Sequence, residues 1–187
     1  PEAWQETSEL EWLESRGECR QQVAWFVSLA RSPGERLATI VDAPGGPRTV
    51  QGRGEEPVPL AKNIGRFVYE PAAAVLAAKL THVLCSEHSL SAVSSSALYL
   101  TGDAPLRDGA LAGFEVLEVL SLDQRQLKGW LRERNIGRLE VKKRGCNVDP
   151  EKLRNDLAGS GAESATLLVF PQDDRMQAVM ARRIIPV

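Results

Sequence analysis

The residue types with the most chemical potential in this chain are cations. Arg132, Arg134, Arg138, Lys142, Lys143 and Arg144 fall within one short stretch, and residues 122–158 hold ten basic against six acidic side chains, a local balance of 10 − 6 = +4. The whole chain runs the other way, with 23 Lys and Arg against 25 Asp and Glu. Residues 1–60 carry six basic against ten acidic, so charge is segregated along the sequence. A strand-and-loop edge bearing several cations can neutralise phosphates and release their counterions, giving an affinity that falls with salt. On that chemistry the candidate nucleic-acid-binding residues are Arg138, Lys142, Lys143 and Arg144, with Lys152 and Arg154 on the helix expected next. Trp130 is the one aromatic close by, and its spacing puts it in a core. Binding would then lean on backbone charge and shape rather than on stacked bases. The same cations also read as an ordinary solvated face, and composition alone leaves both readings open.

Other chemistries find less support. Zinc needs three or four convergent ligands, whereas His82 and His88 stand six apart with Glu87 as the one carboxylate at ligand spacing. Cys19, Cys85 and Cys146 form neither a CxxC pair nor a disulfide framework, which fits a reducing cytoplasm. Pro44-Gly45-Gly46-Pro47 is glycine-rich but bracketed by prolines, with no helix after it to favour an anion. The Ser-rich run 89–96 has no base beside it, and no paired carboxylates emerge from spacing. Catalytic, cofactor-binding and metal-ligating residues are accordingly assigned to none.

The elements that must position the cations can be read in order. Glu9 to Leu13 alternates polar and apolar and predicts a half-buried strand. Val23, Phe26, Val27 and Ala30 fall at helical spacing and predict an amphipathic helix over 18–29, stopped by Ser32-Pro33-Gly34. Leu37 to Val41 is an apolar run that predicts a covered strand. Residues 42–59, with four Pro and four Gly, read as linker. Arg66 to Tyr69 is a short extended stretch, and Pro71 would open one helix carrying Val75, Leu76, Leu80, Val83 and Leu84. The last ninety residues predict β-β-α-β-α-β-β. Their strands fall near Leu98–Leu100, Phe114–Leu120, Arg138–Lys142, Thr166–Phe170 and Met176–Ile184. One helix starts at Asp123 with Gln126 three residues on, and a second at Asp149-Pro150. Strands separated by short helices imply right-handed crossovers and a mixed sheet with helices packed on it. No apolar run approaches the ~18 residues of a membrane span. Residues 1–18 lack the apolar segment of a signal peptide.

Several ordered strings carry a family resemblance. Gly65-Arg66-Phe67-Val68-Tyr69-Glu70-Pro71, Tyr99-Leu100-Thr101-Gly102-Asp103, Phe114-Glu115-Val116-Leu117-Glu118-Val119-Leu120 and Gly137-Arg138-Leu139-Glu140-Val141-Lys142-Lys143-Arg144-Gly145 resemble the THUMP-like C-terminal region of a bacterial class I S-adenosylmethionine-dependent methyltransferase family. Glu11-Trp12-Leu13-Glu14-Ser15-Arg16-Gly17-Glu18-Cys19-Arg20-Gln21, with Trp25-Phe26, looks like the end of that family's methyltransferase domain.

The resemblance implies an α/β chain of α+β type, a remnant of a Rossmann-like methyltransferase sheet followed by a small THUMP-like mixed-sheet domain. The expected divisions are 1–43 for the closing strands and helix of the methyltransferase domain, 44–64 for a linker, 65–96 for a connecting strand and helix, and 97–187 for the THUMP-like domain. S-adenosylmethionine is implied for a full-length parent, but the acidic, glycine-rich loop that would hold it is absent here. The chain alone is therefore expected to be inactive. Structured RNA such as tRNA or rRNA is the implied partner, together with the missing N-terminal methyltransferase domain. A structural or protein-interaction module is the alternative. Unpaired edges on an incomplete N-terminal sheet predict weak self-association.

Overall fold

The computed structural model describes residues 7–54, 56–173 and 175–184. Residues 1–6, Glu55 in the expected linker, Asp174 in the expected hairpin turn and residues 185–187 at the end of the expected THUMP-like domain lie outside that set. The first four strands form one small sheet. β1 (Ser8–Ser15) turns back into β2 (Glu18–Phe26) through Arg16 and Gly17, both at positive φ (55° and 74°). A two-residue turn with positive φ at both positions matches the right-handed twist of a hairpin. This strand replaces the helix expected over 18–29, of which one short 3-10 turn, Val27–Leu29, is present. The helical spacing of Val23, Phe26 and Val27 was coincidental, because the tight turn commits the following residues to pair with β1 in register, Glu11 opposite Val23. Glu11 then ties three strands together, accepting from Trp25 Nε1 at 2.9 Å and from Thr39 Oγ1 at 2.7 Å.

β3 (Arg36–Ile40) runs parallel to β1, and β4 (Arg48–Gly52) closes the order β2-β1-β3-β4. β4 lies within the stretch read as linker and corrects that reading for its five residues. The prolines and three of the four glycines flank it, Gly52 closes it, and Val50, its one aliphatic residue, is fully buried.

The second sheet has seven strands. β5 (Phe67–Pro71), β6 (Ser91–Ala92), β7 (Leu100–Gly102), β8 (Leu111–Ser121), β9 (Ile136–Lys143), β10 (Glu163–Gln172) and β11 (Arg175–Arg183) lie in the order β6-β7-β5-β8-β11-β10-β9. β5 and β6 come from the segment read as a connection, so the sheet begins upstream of residue 97. The helix expected after Pro71 is two helices, α1 (Ala73–Ala78) and α2 (Thr81–His88), divided at Lys79 with φ 59°. They are sandwiched between the sheets, with Ala38, Ile40 and Val50 on one side and Phe67, Tyr69 and Leu100 on the other.

From β7 onward the element order is the expected β-β-α-β-α-β-β. β8 and β9 are joined by α3 (Gln124–Glu133), and β9 and β10 by α4 (Pro150–Asp156). Asp123 accepts from Gln126 N at 2.7 Å and Asp149 from Glu151 N at 3.0 Å, so both helices start on their predicted caps. Leu127, Trp130, Leu131 and Leu153 bury against Leu167, Val169, Ala178 and Met180 on one sheet face. On the opposite face Val68, Tyr99, Phe114, Leu168 and Phe170 form a separate core. Among the described residues no helix is long and apolar enough to cross a membrane.

Candidate nucleic-acid interface

β9 is the outer strand of the seven-stranded sheet, paired only through β10. Leu139 and Val141 point to the helices, so Arg138, Glu140 and Lys142 point to the other face, as strand alternation dictates. The sheet curls strongly there. Four inter-strand steps separate β9 from β5, about 19 Å in a flat sheet at roughly 4.8 Å each. Yet Lys142 Nζ reaches Glu70 Oε2 on β5 at 2.7 Å, and Arg144 Nη2 reaches Glu70 Oε1 at 3.1 Å.

The six candidate cations therefore do not form one patch. Lys142 and Arg144 are about a quarter exposed and committed to Glu70, and the Arg144 guanidinium sits 5.3 Å over the Tyr99 ring. Burial raises the Tyr99 hydroxyl above its usual range, and the nearby Glu70 carboxylate adds to the rise. Lys143 donates to the Cys146 carbonyl at 3.3 Å. Arg138 is exposed and donates to the Ala162 carbonyl at 3.4 Å. Arg154 pairs with Glu151 one turn back at 2.7 Å, and Lys152 is exposed on α4. Arg134 lies 4.3 Å over Trp130 and near Glu118, so it packs against its own helix.

Two depressions organise these groups. A groove of about 850 Å³ follows the β9 edge and collects Arg138 and Arg154 with Arg182 and Arg183, against the single carboxylate of Glu140. Sequence reading missed Arg182 and Arg183, which reach the groove because β11 is placed beside β10 by their hairpin. The only hint was an arginine pair at the end of an apolar strand. A second cleft, about 440 Å³, opens between the two sheets and holds Lys142, Arg144 and Arg183 with Glu14, Glu70 and Asp108. Its charges balance, three against three. Two of its acids are also occupied elsewhere: Glu14 accepts from Ala74 N at 2.8 Å, and Asp108 belongs to the cluster described next.

Arg48 on β4, Glu87 and His88 on α2, and Asp108 before β8 form an ionic clasp between the sheets. The Arg48 guanidinium meets Glu87 at 2.6 Å and Asp108 at 3.1 Å, and His88 Nε2 lies 2.9 Å from Asp108. Burial on its own would raise the Asp108 carboxyl. The hydrogen bonds from Arg48, Ala110 N and His88 outweigh it and hold the group below the usual carboxylate range. Ligand atoms of Glu87, His88 and Asp108 lie within 4.8 Å of one another, the spacing of a metal triad. The Arg48 guanidinium already bridges the two carboxylates, however, so the set is complete as an ion-pair network. Asp108 was the member sequence reading lacked, since nothing in local spacing brings it to His88.

In the four-stranded sheet β1 turns directly into β2, and at the start of α1, which follows β5, the Ala74 N–H donates to the Glu14 carboxylate at 2.8 Å.

Comparison with known proteins agrees with this architecture. Residues 111–183, from β8 to the end of β11, match the family described as THUMP domain-like. An uncharacterized S-adenosylmethionine-dependent methyltransferase of Mycobacterium tuberculosis, in strains CDC 1551 and H37Rv, is 32% identical over 162 residues, covering 86% of this chain and 43% of the relative. The chain thus spans less than half the length of these curated relatives. A protein of Porphyromonas gingivalis W83, whose crystal structure carries a provisional methyltransferase assignment, superposes with TM-score 0.77 and 18% identity over 96% of this chain and 46% of its own. The chain is therefore a two-sheet α/β protein similar over most of its length to S-adenosylmethionine-dependent methyltransferases, and it carries a THUMP-like domain.

Proposed function

We propose that this chain is the RNA-recognition portion of an S-adenosylmethionine-dependent RNA methyltransferase, and that the cofactor and the transfer chemistry belong to residues outside it. The observation that carries the reading is the β9-edge groove, where four arginines face one glutamate on the THUMP-like domain. Its ion pairs are exposed: Arg154 and Glu151, Arg183 and Glu140, and Arg182 and Glu115 all keep 39% or more of their side-chain surface in water. Exposed pairs contribute about 0–1 kcal/mol each, so an incoming phosphate displaces them at little cost. Lys142 and Arg144, held by Glu70, are better placed to shape the inner end of the site than to make first contact. Lys143 and Lys152 add exposed charge nearby.

The test is a titration of the chain with a fluorescein-labelled RNA hairpin. Four phosphate contacts at this edge supply about 3 to 4 units of log–log salt slope, or roughly a hundredfold weaker binding at 200 than at 50 mM salt. The variant Arg138→Gln/Arg154→Gln/Arg182→Gln should flatten the slope by about 2 to 3. Absence of binding, or binding indifferent to salt, would refute the proposal. It would favour instead an interaction module whose cations serve their own carboxylates, a reading supported by the pairing of Lys142, Arg144, Arg154, Arg182 and Arg183.

A further inference from the structure

A separate groove of about 880 Å³ lies not at the β9 edge but between α3 and the loop that follows α4. Arg125, Lys128 and Arg132 line it. Their spacing of three and then four residues places them on one face of α3, since positions three and four apart are neighbours on a helix. All three are exposed. No carboxylate lines this groove, although Arg125 also borders a neighbouring depression that holds Glu118, Asp123 and Glu133.

Most cations of the domain are paired: Arg134, Lys142, Arg144, Arg154, Arg182 and Arg183 each have a carboxylate within 4.0 Å. Among the described residues Arg138, Lys143 and Lys152 have none, and neither do Arg125, Lys128 and Arg132. What sets the last three apart is that they share one helix face and one groove.

The opposite wall is backbone. A methyl group on Gly161 would sit 2.0 Å from the Asn135 carbonyl oxygen, one on Gly137 would sit 1.9 Å from the Gly161 oxygen, and one on Gly159 would sit 2.7 Å from the Ile136 oxygen. These three glycines let the loop press directly on the start of β9, leaving a low wall of Ala158, Gly159 and Ser160 facing the cations. Ala158 also lines the β9-edge groove, and Arg183 lines both that groove and the cleft between the sheets. Each neighbouring pair of depressions thus shares a wall residue.

We propose that Arg125, Lys128 and Arg132 form a second phosphate-binding surface, and that one RNA backbone runs from this α3 groove over the 158–161 loop to the β9 edge. This rests on the RNA reading above and extends it: the RNA is gripped on two sides of the loop. With aromatics scarce on this surface, the grip is to the backbone and independent of sequence.

The test compares four proteins against the same labelled hairpin across a salt series: the unaltered chain, the β9-edge variant above, the variant Arg125→Gln/Lys128→Gln/Arg132→Gln, and a control of equal charge change on the other sheet, Arg16→Gln/Arg20→Gln/Arg31→Gln. The α3 variant is expected to lose about two units of salt slope and at least about tenfold in affinity at low salt, while the control keeps both. All substituted side chains are exposed, and an unchanged circular dichroism melt confirms that each variant folds. If the unaltered chain and the control bind, the β9-edge variant weakens, and the α3 variant binds as the unaltered chain does, this inference fails and the RNA reading stands. If the unaltered chain does not bind, both fall. An equal loss in the α3 variant and the control would also overturn it, because the effect would then be one of net charge.

Discussion

Asp108→Asn should reveal how firmly the two sheets are joined. Asp108 is 7% exposed and Arg48 30%, and their closest approach is 3.1 Å. At an effective dielectric of about 20, unit charges at that distance attract by about 5 kcal/mol. Desolvation of the carboxylate takes back part of this, and breaking such a pair leaves Arg48 and His88 facing a neutral amide. Removal of one partner from a buried pair costs about 3–5 kcal/mol, and the partly wetted Arg48 places the expected loss at about 3 kcal/mol. For a chain of this size that lowers Tm by roughly 6–12 °C, at 2–4 °C per kcal/mol. The cycle with Arg48→Met should give a coupling energy of about 2 kcal/mol between the sites. The pH dependence has a definite sign. A carboxyl held below its ordinary value stabilises the fold at pH above the unfolded value, near 3.9, and that contribution disappears as pH falls through the folded value. The difference in Tm between parent and Asp108→Asn should thus be full at neutral pH and shrink below about pH 4. A coupling below about 0.5 kcal/mol, or a difference that persists in acid, would refute the clasp as an energetic joint.

Other expectations are more local. Gly161→Ala must push the loop off β9, because its Cβ would lie 2.0 Å from a backbone oxygen; a loss above about 2 kcal/mol in urea unfolding is expected, and a neutral outcome would mean the loop yields freely. Leu167→Ala, in a fully buried position of β10 facing α3 and α4, should cost about 2–5 kcal/mol by the same measurement. Cys85 is buried, and its thiol is pushed up to about 11 by that burial, so iodoacetamide at pH 8 should label exposed Cys19 well before Cys85. Equal labelling rates would show that α2 opens readily. Val27 and Leu29, 89% and 67% exposed at the open side of β2, should give weak concentration-dependent association in sedimentation, and a strictly monomeric species would count against that edge pairing.

The parts of this fold legible in sequence are those fixed by contacts a few residues long. The caps at Asp123 and Asp149, the buried stripe of Leu127, Trp130 and Leu131, and the β10–β11 hairpin each follow from neighbours in the chain. β2 was misread because Val23, Phe26 and Val27 satisfy a helical period, while the Arg16-Gly17 turn that decides the matter occupies only two residues. β4 was missed because a five-residue strand with one buried aliphatic leaves almost no periodic trace. Its existence depends on β3 offering an edge, which the segment itself does not record.

The candidate site was legible in charge but not in state. Composition found the cations between Arg132 and Arg144 yet could not say which of them remain available, because the answer lies far away in sequence. Glu70 is 72 residues from Lys142 and 74 from Arg144, and only the curl of the sheet brings it to them. Conversely, Arg125 and Lys128 looked unexceptional beside Asp123 and Glu133, and Arg132 stood out only as part of the charge run. The helix turns those two acids toward Trp130 and Arg134, into a depression that Arg125 also borders, while Lys128 and Arg132 face the loop of residues 158–161. A run of charge in sequence thus sorts into structural and available cations only once each has been matched to its carboxylate. By that sorting Arg138, Lys143 and Lys152 of the six candidates keep their charge free of a carboxylate, and the face of α3 adds three more, Arg125, Lys128 and Arg132, among the described residues.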